Sequence, residues 1–269
     1  WSSLCGLPVF RTYQVVAPVL QHTNDGKQMF QRWFKRPKDT EPHFAPISPD
    51  QPVVAIGDIH GRYDLLKKIP EAKSGVQMVC LGDMIDRGEE SAQVLRHMCK
   101  ATNVITLMGN HEEMMLNFLQ NPLDNGPRWL RNGGLQTLES FAVTGVSQTS
   151  TGEDLEGARD ALFAAMGQDL LDWLTNLPKY WVSGNVVFLH AAADPSLPIE
   201  QQDNRTLLWG HKDFGRVART DGMWVVHGHT IFDSPRINRG VVSIDTGAYA
   251  TGKLTAATIH EGEVDFAYA

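Results

Sequence analysis

Five short apolar runs, each broken off by glycine or histidine and a polar side chain, constrain this chain more than any other feature. They are PVVAIGD from Pro52, VQMVCLGD from Val76, NVITLMGN from Asn103, NVVFLHA from Asn185 and MWVVHGH from Met223. A strand with one wet face alternates apolar and polar residues, so continuous runs of this length predict strands buried on both faces. Between the first three lie stretches with helical spacing. From Glu89 to Lys100, for example, Val94, Leu95, Met98 and Cys99 fall on one face. Strand, helix, strand, helix, strand predicts an α/β domain, a sheet wrapped by helices.

Residues 111–178 interrupt this rhythm and read as a mostly helical insert of one or two helices. Ser150 and Glu153 have capping-box spacing, and Leu155, Leu162, Met166, Leu170, Trp173, Leu174 and Leu177 continue at helical intervals. Short strands return after the insert and end in an expected meander: GVVSIDTGA, KLTAATIHEG and EVDFAYA. Residues 1–51 carry no sustained period and prolines punctuate them, so they read as an N-terminal arm or linker ahead of a domain over 52–269. Within the arm, Met29 opens a short basic-aromatic piece and is a candidate start, which would make residues 1–28 an upstream extension.

Composition narrows the class. The 269 residues are 42% hydrophobic, enough for a sizeable core, and 24 basic against 31 acidic side chains give a net charge of −7. Nothing global attracts nucleic acid or an acidic membrane, so an anionic substrate has to be drawn in locally. Cys5, Cys80 and Cys99 lack CxxC spacing, which fits a reducing, cytoplasmic compartment. No stretch reaches the roughly 18 apolar residues of a membrane span.

The strand ends carry the chemistry. In an open α/β sheet ligands bind beyond the carboxyl ends of the strands. There this chain places Asp58 and His60, Asp83 and Asp86, Asn110 and His111, His190, and His227 and His229. Any one of these is more often a turn former, a helix cap or a core histidine than a ligand. Five strand ends that each deliver a carboxylate, amide or imidazole form a cage for two divalent metals. The oxygen and nitrogen donors point to Mn, Fe or Zn, with His227 the weaker member of its pair.

GDIHG, GDMIDRG and GNHE, in that order, resemble the signature motifs of the calcineurin-like metallophosphoesterases, specifically the bacterial and lambda-phage type of PPP protein phosphatase. The likeness runs from about residue 53 to 260 and includes HGHT and IDTGA. It implies two packed mixed β-sheets flanked by helices. It also implies that Asp58 and His60 bind one metal, that Asp83 bridges to a second, and that Asn110, His190 and His229 complete that second ion. His111 then acts on the substrate with Asp86 as its orienting partner, and Arg87 clamps phosphate with a planar fork.

What the resemblance implies about activity is direct attack of a metal-bridging hydroxide on a phosphate monoester, in phosphoserine or phosphothreonine of a protein or in a small phosphoester. Manganese is the expected metal, with iron or zinc as alternatives. The alternative enzyme is a symmetrical diadenosine tetraphosphatase, a similar group that tends to lack the second aspartate of GDMIDRG and the glutamate of GNHE; Asp86 and Glu112 are both present here. A binding module that lost its activity is disfavoured, because it has no chemical reason to keep every donor. Arg131 in WLRNGG is a candidate substrate contact near the site mouth. In LLWGHKDF the family's phosphate-binding arginine is replaced by His211, which Lys212 or Arg216 could substitute.

Overall fold

Each apolar run singled out by sequence becomes a strand. The computed structural model describes residues 11–13, 44–70 and 75–269. Its strands are β1 (Arg11–Tyr13), β2 (Val53–Ile56), β3 (Gln77–Cys80), β4 (Val104–Thr106), β5 (Tyr180–Ser183), β6 (Val186–Leu189), β7 (Trp224–His227), β8 (Arg236–Asn238), β9 (Val241–Ser243), β10 (Thr255–His260) and β11 (Glu263–Tyr268). The helices are α1 (Tyr63–Leu66), α2 (Ser91–Lys100), α3 (Asn110–Gln120), α4 (Pro122–Trp129), α5 (Leu135–Ser140), α6 (Glu153–Met166), α7 (Gln168–Thr175), α8 (Asn204–Trp209) and α9 (Ala248–Thr251).

Two mixed sheets face each other. The first has the order β1-β11-β10-β2-β3-β4, with β2, β3 and β4 parallel and the other neighbours antiparallel. The second runs β5-β6-β7-β9-β8, with β6, β7 and β9 parallel. Val53, Ala55, Val79 and Ala257 of the first sheet share one apolar core with Val186, Phe188, Val226 and Val242 of the second. The residues between them point outward and are covered in turn: Ile56 and Met78 by α2 and the insert, Val187 and Val225 by Leu207 of α8. This double cover is why the strands read as continuous apolar runs. Each large side chain buried this way contributes about 1.5–3 kcal/mol.

Three expectations change. The insert holds five helices, α3 to α7, rather than one or two, with a π-helical turn at Leu130–Gly134. Asn121 and Pro122 break the first helix: the Asn121 side chain accepts the Asp124 N–H, and the proline occupies the first turn of α4, where it has no N–H to lose. α6 starts after Gly152, so Ser150 caps no helix; its hydroxyl accepts the Ser147 N–H instead. The terminal meander is split between the sheets. β9 pairs with β7 in the second sheet, and the chain crosses at Gly247, which takes φ +68, before β10 and β11 form a hairpin in the first.

From Phe44 onward the segment read as arm is packed on the domain. Ile47 is 1% exposed in the core between the sheets, the Trp224 indole donates to the Ala45 carbonyl, and Ser48 exchanges hydrogen bonds with Asn185. Met29 and Cys5 lie outside the described residues. Cys80 and Cys99 are free thiols. Among the described residues no helix is long and apolar enough to cross a membrane.

Candidate metal centre

The loops that leave β2, β3 and β7, together with the start of α3 and the end of β6, meet at one rim. Backbone strain concentrates there. Of the seven non-glycine residues with positive φ among those described, five are His60, Asp83, Asp86, Arg87 and His229. Left-handed backbone costs such residues about 1–2 kcal/mol each, so the surrounding packing has to impose it. Two glycines are fixed by close approach: a Cβ at Gly228 would collide with the Asp58 carboxylate, and one at Gly109 would collide with Asp83.

Asp83 sits at the middle. Its Oδ1 lies 3.3 Å from His190 Nε2, and its Oδ2 lies 3.6 Å from His60 Nε2 and 3.9 Å from His111 Nε2. Ligand atoms of His60, Asp83 and His111 lie within 4.8 Å of one another, and so do those of Asp83, His190 and His229. Asp83 is thus common to two groups of donors. On the far side Asp58 accepts the His229 N–H at 3.0 Å on both oxygens.

The hydrogen bonds behind the rings fix their tautomers. His60 Nδ1 faces the Ile85 carbonyl at 2.8 Å, and His190 Nδ1 faces the Leu81 carbonyl at 2.9 Å. Each Nδ1 therefore carries the proton and each Nε2 presents a lone pair to the centre. Burial pushes His60 down to about 3 and His229 to about 4, and it lowers His190 as well, so the rings are neutral. Asn110 Oδ1 lies 2.8 Å from His190 Nε2, which brings one lone pair against another. Around it Asp58, Asp83 and Asp245 are buried together; burial and mutual repulsion hold Asp58 well above the usual carboxylate range, and burial lifts Asp245 to about 6. Neutral imidazoles, an inward amide oxygen and crowded carboxylates fit hard or borderline divalent cations, which would relieve both the lone-pair contact and the repulsion.

Beside these donors stands a different pair. His111 Nδ1 lies 2.6 Å from Asp86 Oδ2. Burial lowers the histidine, but the charges of Asp83 and Asp86 outweigh it and the net shift is upward. Asp86 also accepts from Trp129 Nε1 at 3.0 Å and from the Thr137 hydroxyl at 2.6 Å, so the helical insert orients this carboxylate. The Arg87 guanidinium reaches over both rings, with Nη1 3.2 Å from His60 Nε2 and Nη2 3.3 Å from His111 Nε2.

The family model described as calcineurin-like phosphoesterase matches residues 51–230, most of the described domain. The chain belongs to this family. Two curated proteins it resembles carry two kinds of name. A bis(5'-nucleosyl)-tetraphosphatase PrpE [asymmetrical] of Bacillus velezensis is 30% identical over 77% of this chain and 89% of its own length. Serine/threonine-protein phosphatase 1 of Salmonella typhimurium is 27% identical over 77% of this chain and 91% of its own. The structure of a candidate diadenosine tetraphosphatase superposes with a TM-score of 0.58 at 18% identity, covering 84% of this chain and 99% of the other, which bears on the fold alone.

In this calcineurin-like phosphoesterase the two expected substrate contacts Arg131 and His211 are not among the clustered donors. Arg131 is exposed; within WLRNGG it is Gly133 that reaches the centre, where its carbonyl accepts the Arg87 N–H at 3.4 Å and a Cβ would collide with Arg87. His211 faces Asp194 at 3.6 Å and lines a neighbouring cavity of about 650 Å³. That cavity opens beside His229; Lys212, Arg216 and Arg236 line it with the rings of Trp209 and Phe232, and no carboxylate does. His227 belongs to the cavity too, with its Nε2 paired to the Ser243 hydroxyl at 2.7 Å, so only the second histidine of HGH joins the donors.

Trp129, Thr137 and Asp245 are site residues that sequence reasoning missed. IDTGA marked Asp245, but nothing local links Trp129 or Thr137 to Asp86, which lies 43 and 51 positions away.

Proposed function

We propose that this calcineurin-like phosphoesterase hydrolyses phosphate monoesters, with phosphoserine and phosphothreonine in proteins as substrates. The observation that carries the reading is the 2.6 Å contact between His111 and Asp86. A seryl or threonyl alkoxide is a poor leaving group that needs a proton as it departs, whereas a nucleotide phosphate leaves readily without one. Asp86 holds the His111 proton at Nδ1 and favours the cationic ring, so that Nε2–H faces the leaving oxygen. Arg87 offers its in-plane N–H donors to two phosphoryl oxygens. Asp58, His60, Asp83, Asn110, His190 and His229 are the residues that would hold a pair of divalent ions, with Asp83 shared and manganese the expected metal. When bound, such ions supply Lewis acidity and lower the pKa of the attacking water.

A second reading is hydrolysis of a dinucleoside polyphosphate. The basic, aromatic cavity beside His229 favours it, since a nucleotide presents both anionic oxygens and a ring to stack, and so does the name of the Bacillus velezensis relative. Turnover of phosphoserine, phosphothreonine and phosphotyrosine peptides should be compared with that of diadenosine tetraphosphate on manganese-loaded protein. Faster cleavage of phosphoserine and phosphothreonine is expected; a preference for the dinucleotide reverses the order of the two readings.

A further inference from the structure

We infer that Tyr249 is a positioning residue that holds the Arg87 fork open for phosphate. The inference rests on the reading of Arg87 as phosphoryl clamp. The Arg87 Cζ lies 4.6 Å from the centroid of the Tyr249 ring. Among the described residues the guanidinium makes no ion pair with a carboxylate; its Nη atoms face His60 and His111. A carboxylate partner would fix Arg87 by occupying the N–H donors that phosphate needs. A ring attracts the cation through its π face and takes none of the in-plane donors, which here face only the neutral His60 ring and the His111 ring and no carboxylate. Tyr249 thus restrains the side chain without competing with the substrate.

The ring is itself held in place. It lies edge-on to His60, with centroids 5.3 Å apart, and is carried on the short helix α9 directly after Gly247. The Gly247 N–H donates to Asp245 at 2.8 Å, and Arg62 donates from Nη1 to the Ala248 carbonyl at 2.9 Å. Arg62 is in turn fixed by two hydrogen bonds of 2.8 Å to Asp64. The loop after β2 therefore locks the turn that bears Tyr249, and this turn, together with Gly133 behind the backbone, sets where Arg87 can go.

The test uses the full chain. Tyr249→Leu in metal-loaded protein should raise KM for an aryl phosphate, and weaken competitive inhibition by inorganic phosphate, by roughly 2- to 10-fold. kcat should change less than about twofold. Tyr249→Phe keeps the ring and should behave like the parent. Inorganic phosphate has no ring of its own, so stacking on the substrate cannot mimic the effect. In an Arg87→Gln background, which has no cation for the ring to hold, the Tyr249→Leu effect should disappear.

A second measurement is free of activity and of metal. The Arg87 Nε–H resonance should be shifted upfield by the ring current in the parent and in Tyr249→Phe, and should return in Tyr249→Leu. An unshifted resonance in the parent, or unchanged phosphate inhibition in Tyr249→Leu, overturns the inference. If Arg87→Gln itself leaves KM and phosphate inhibition unaltered, the clamp reading fails instead.

Discussion

The Glu112 carboxylate accepts the backbone N–H of Asp83 at 2.9 Å and that of Met84 at 2.8 Å. A residue in the first turn of α3 thereby fixes the loop that carries the central aspartate. The same carboxylate accepts the Gly109 N–H at 2.9 Å, which ties the start of α3 to that loop. Burial and the Asp83 charge push Glu112 up to about 8, while the backbone donors around it favour the ionised form.

Glu112→Gln should therefore loosen the centre. The amide keeps one acceptor oxygen and turns an NH₂ toward N–H donors, which leaves buried groups unpaired. A loss of about 1–3 kcal/mol in urea unfolding is expected, together with weaker metal binding. Unchanged stability and metal content in this variant would mean that the loop is held by other contacts.

Asp86→Asn should separate substrates by leaving group. The variant loses the charge that favours a protonated His111, so turnover of a phosphoserine peptide should drop by about 10²–10⁴. An aryl phosphate, whose leaving group departs without a proton, should lose much less. Equal losses on both substrates would remove His111 from the proton-donor role.

Asp83→Asn should abolish most activity and reduce bound metal. A carboxylate common to two donor groups cannot be replaced by an amide that presents one oxygen and no charge. Elemental analysis of parent and variant after dialysis, paired with phosphate release before and after chelation, checks this. Chelator-resistant turnover in the parent would exclude the metal-dependent reading.

The Cys80 thiol should be inert in the folded protein. Burial pushes it up to about 12, so almost no thiolate forms at pH 8. Because the folded value lies above the unfolded one, the group adds stability below the ordinary thiol range, and that contribution is lost as pH rises toward 12. Alkylation followed by mass spectrometry should label Cys80 only after denaturant is added. Rapid labelling under native conditions would show that β3 opens locally.

Much of this was legible in the chain because it is local. The buried strands follow from continuous apolar runs, and α2 follows from Val94, Leu95 and Met98 on one face. The side chains Asp58, His60, Asp83, Asn110, His190 and His229, which the structure brings to one rim, could be singled out because each lies within a few residues of a strand end, where a short loop has few places to go. The helix count of the insert was too low because the apolar spacing from Leu155 onward covers only α6 and α7, while the chain before it turns at Asn121–Pro122 and at Gly133 to make three further helices. Arg131 was a plausible contact by charge, yet the neighbouring Gly133 meets Arg87, since only a residue without a side chain fits against that backbone.

Local order along the chain sets which side chains stand near the strand ends and what chemistry such side chains can share. The fold alone sets that β9 lies in the second sheet while β10 and β11 lie in the first, that Trp129 and Thr137 reach Asp86, and that His211 lines a cavity beside His229. The reason is range. Periodicity and capping act within a few residues, whereas these contacts join positions far apart in the chain, and their geometry is set by how two sheets and a helical insert pack around one rim.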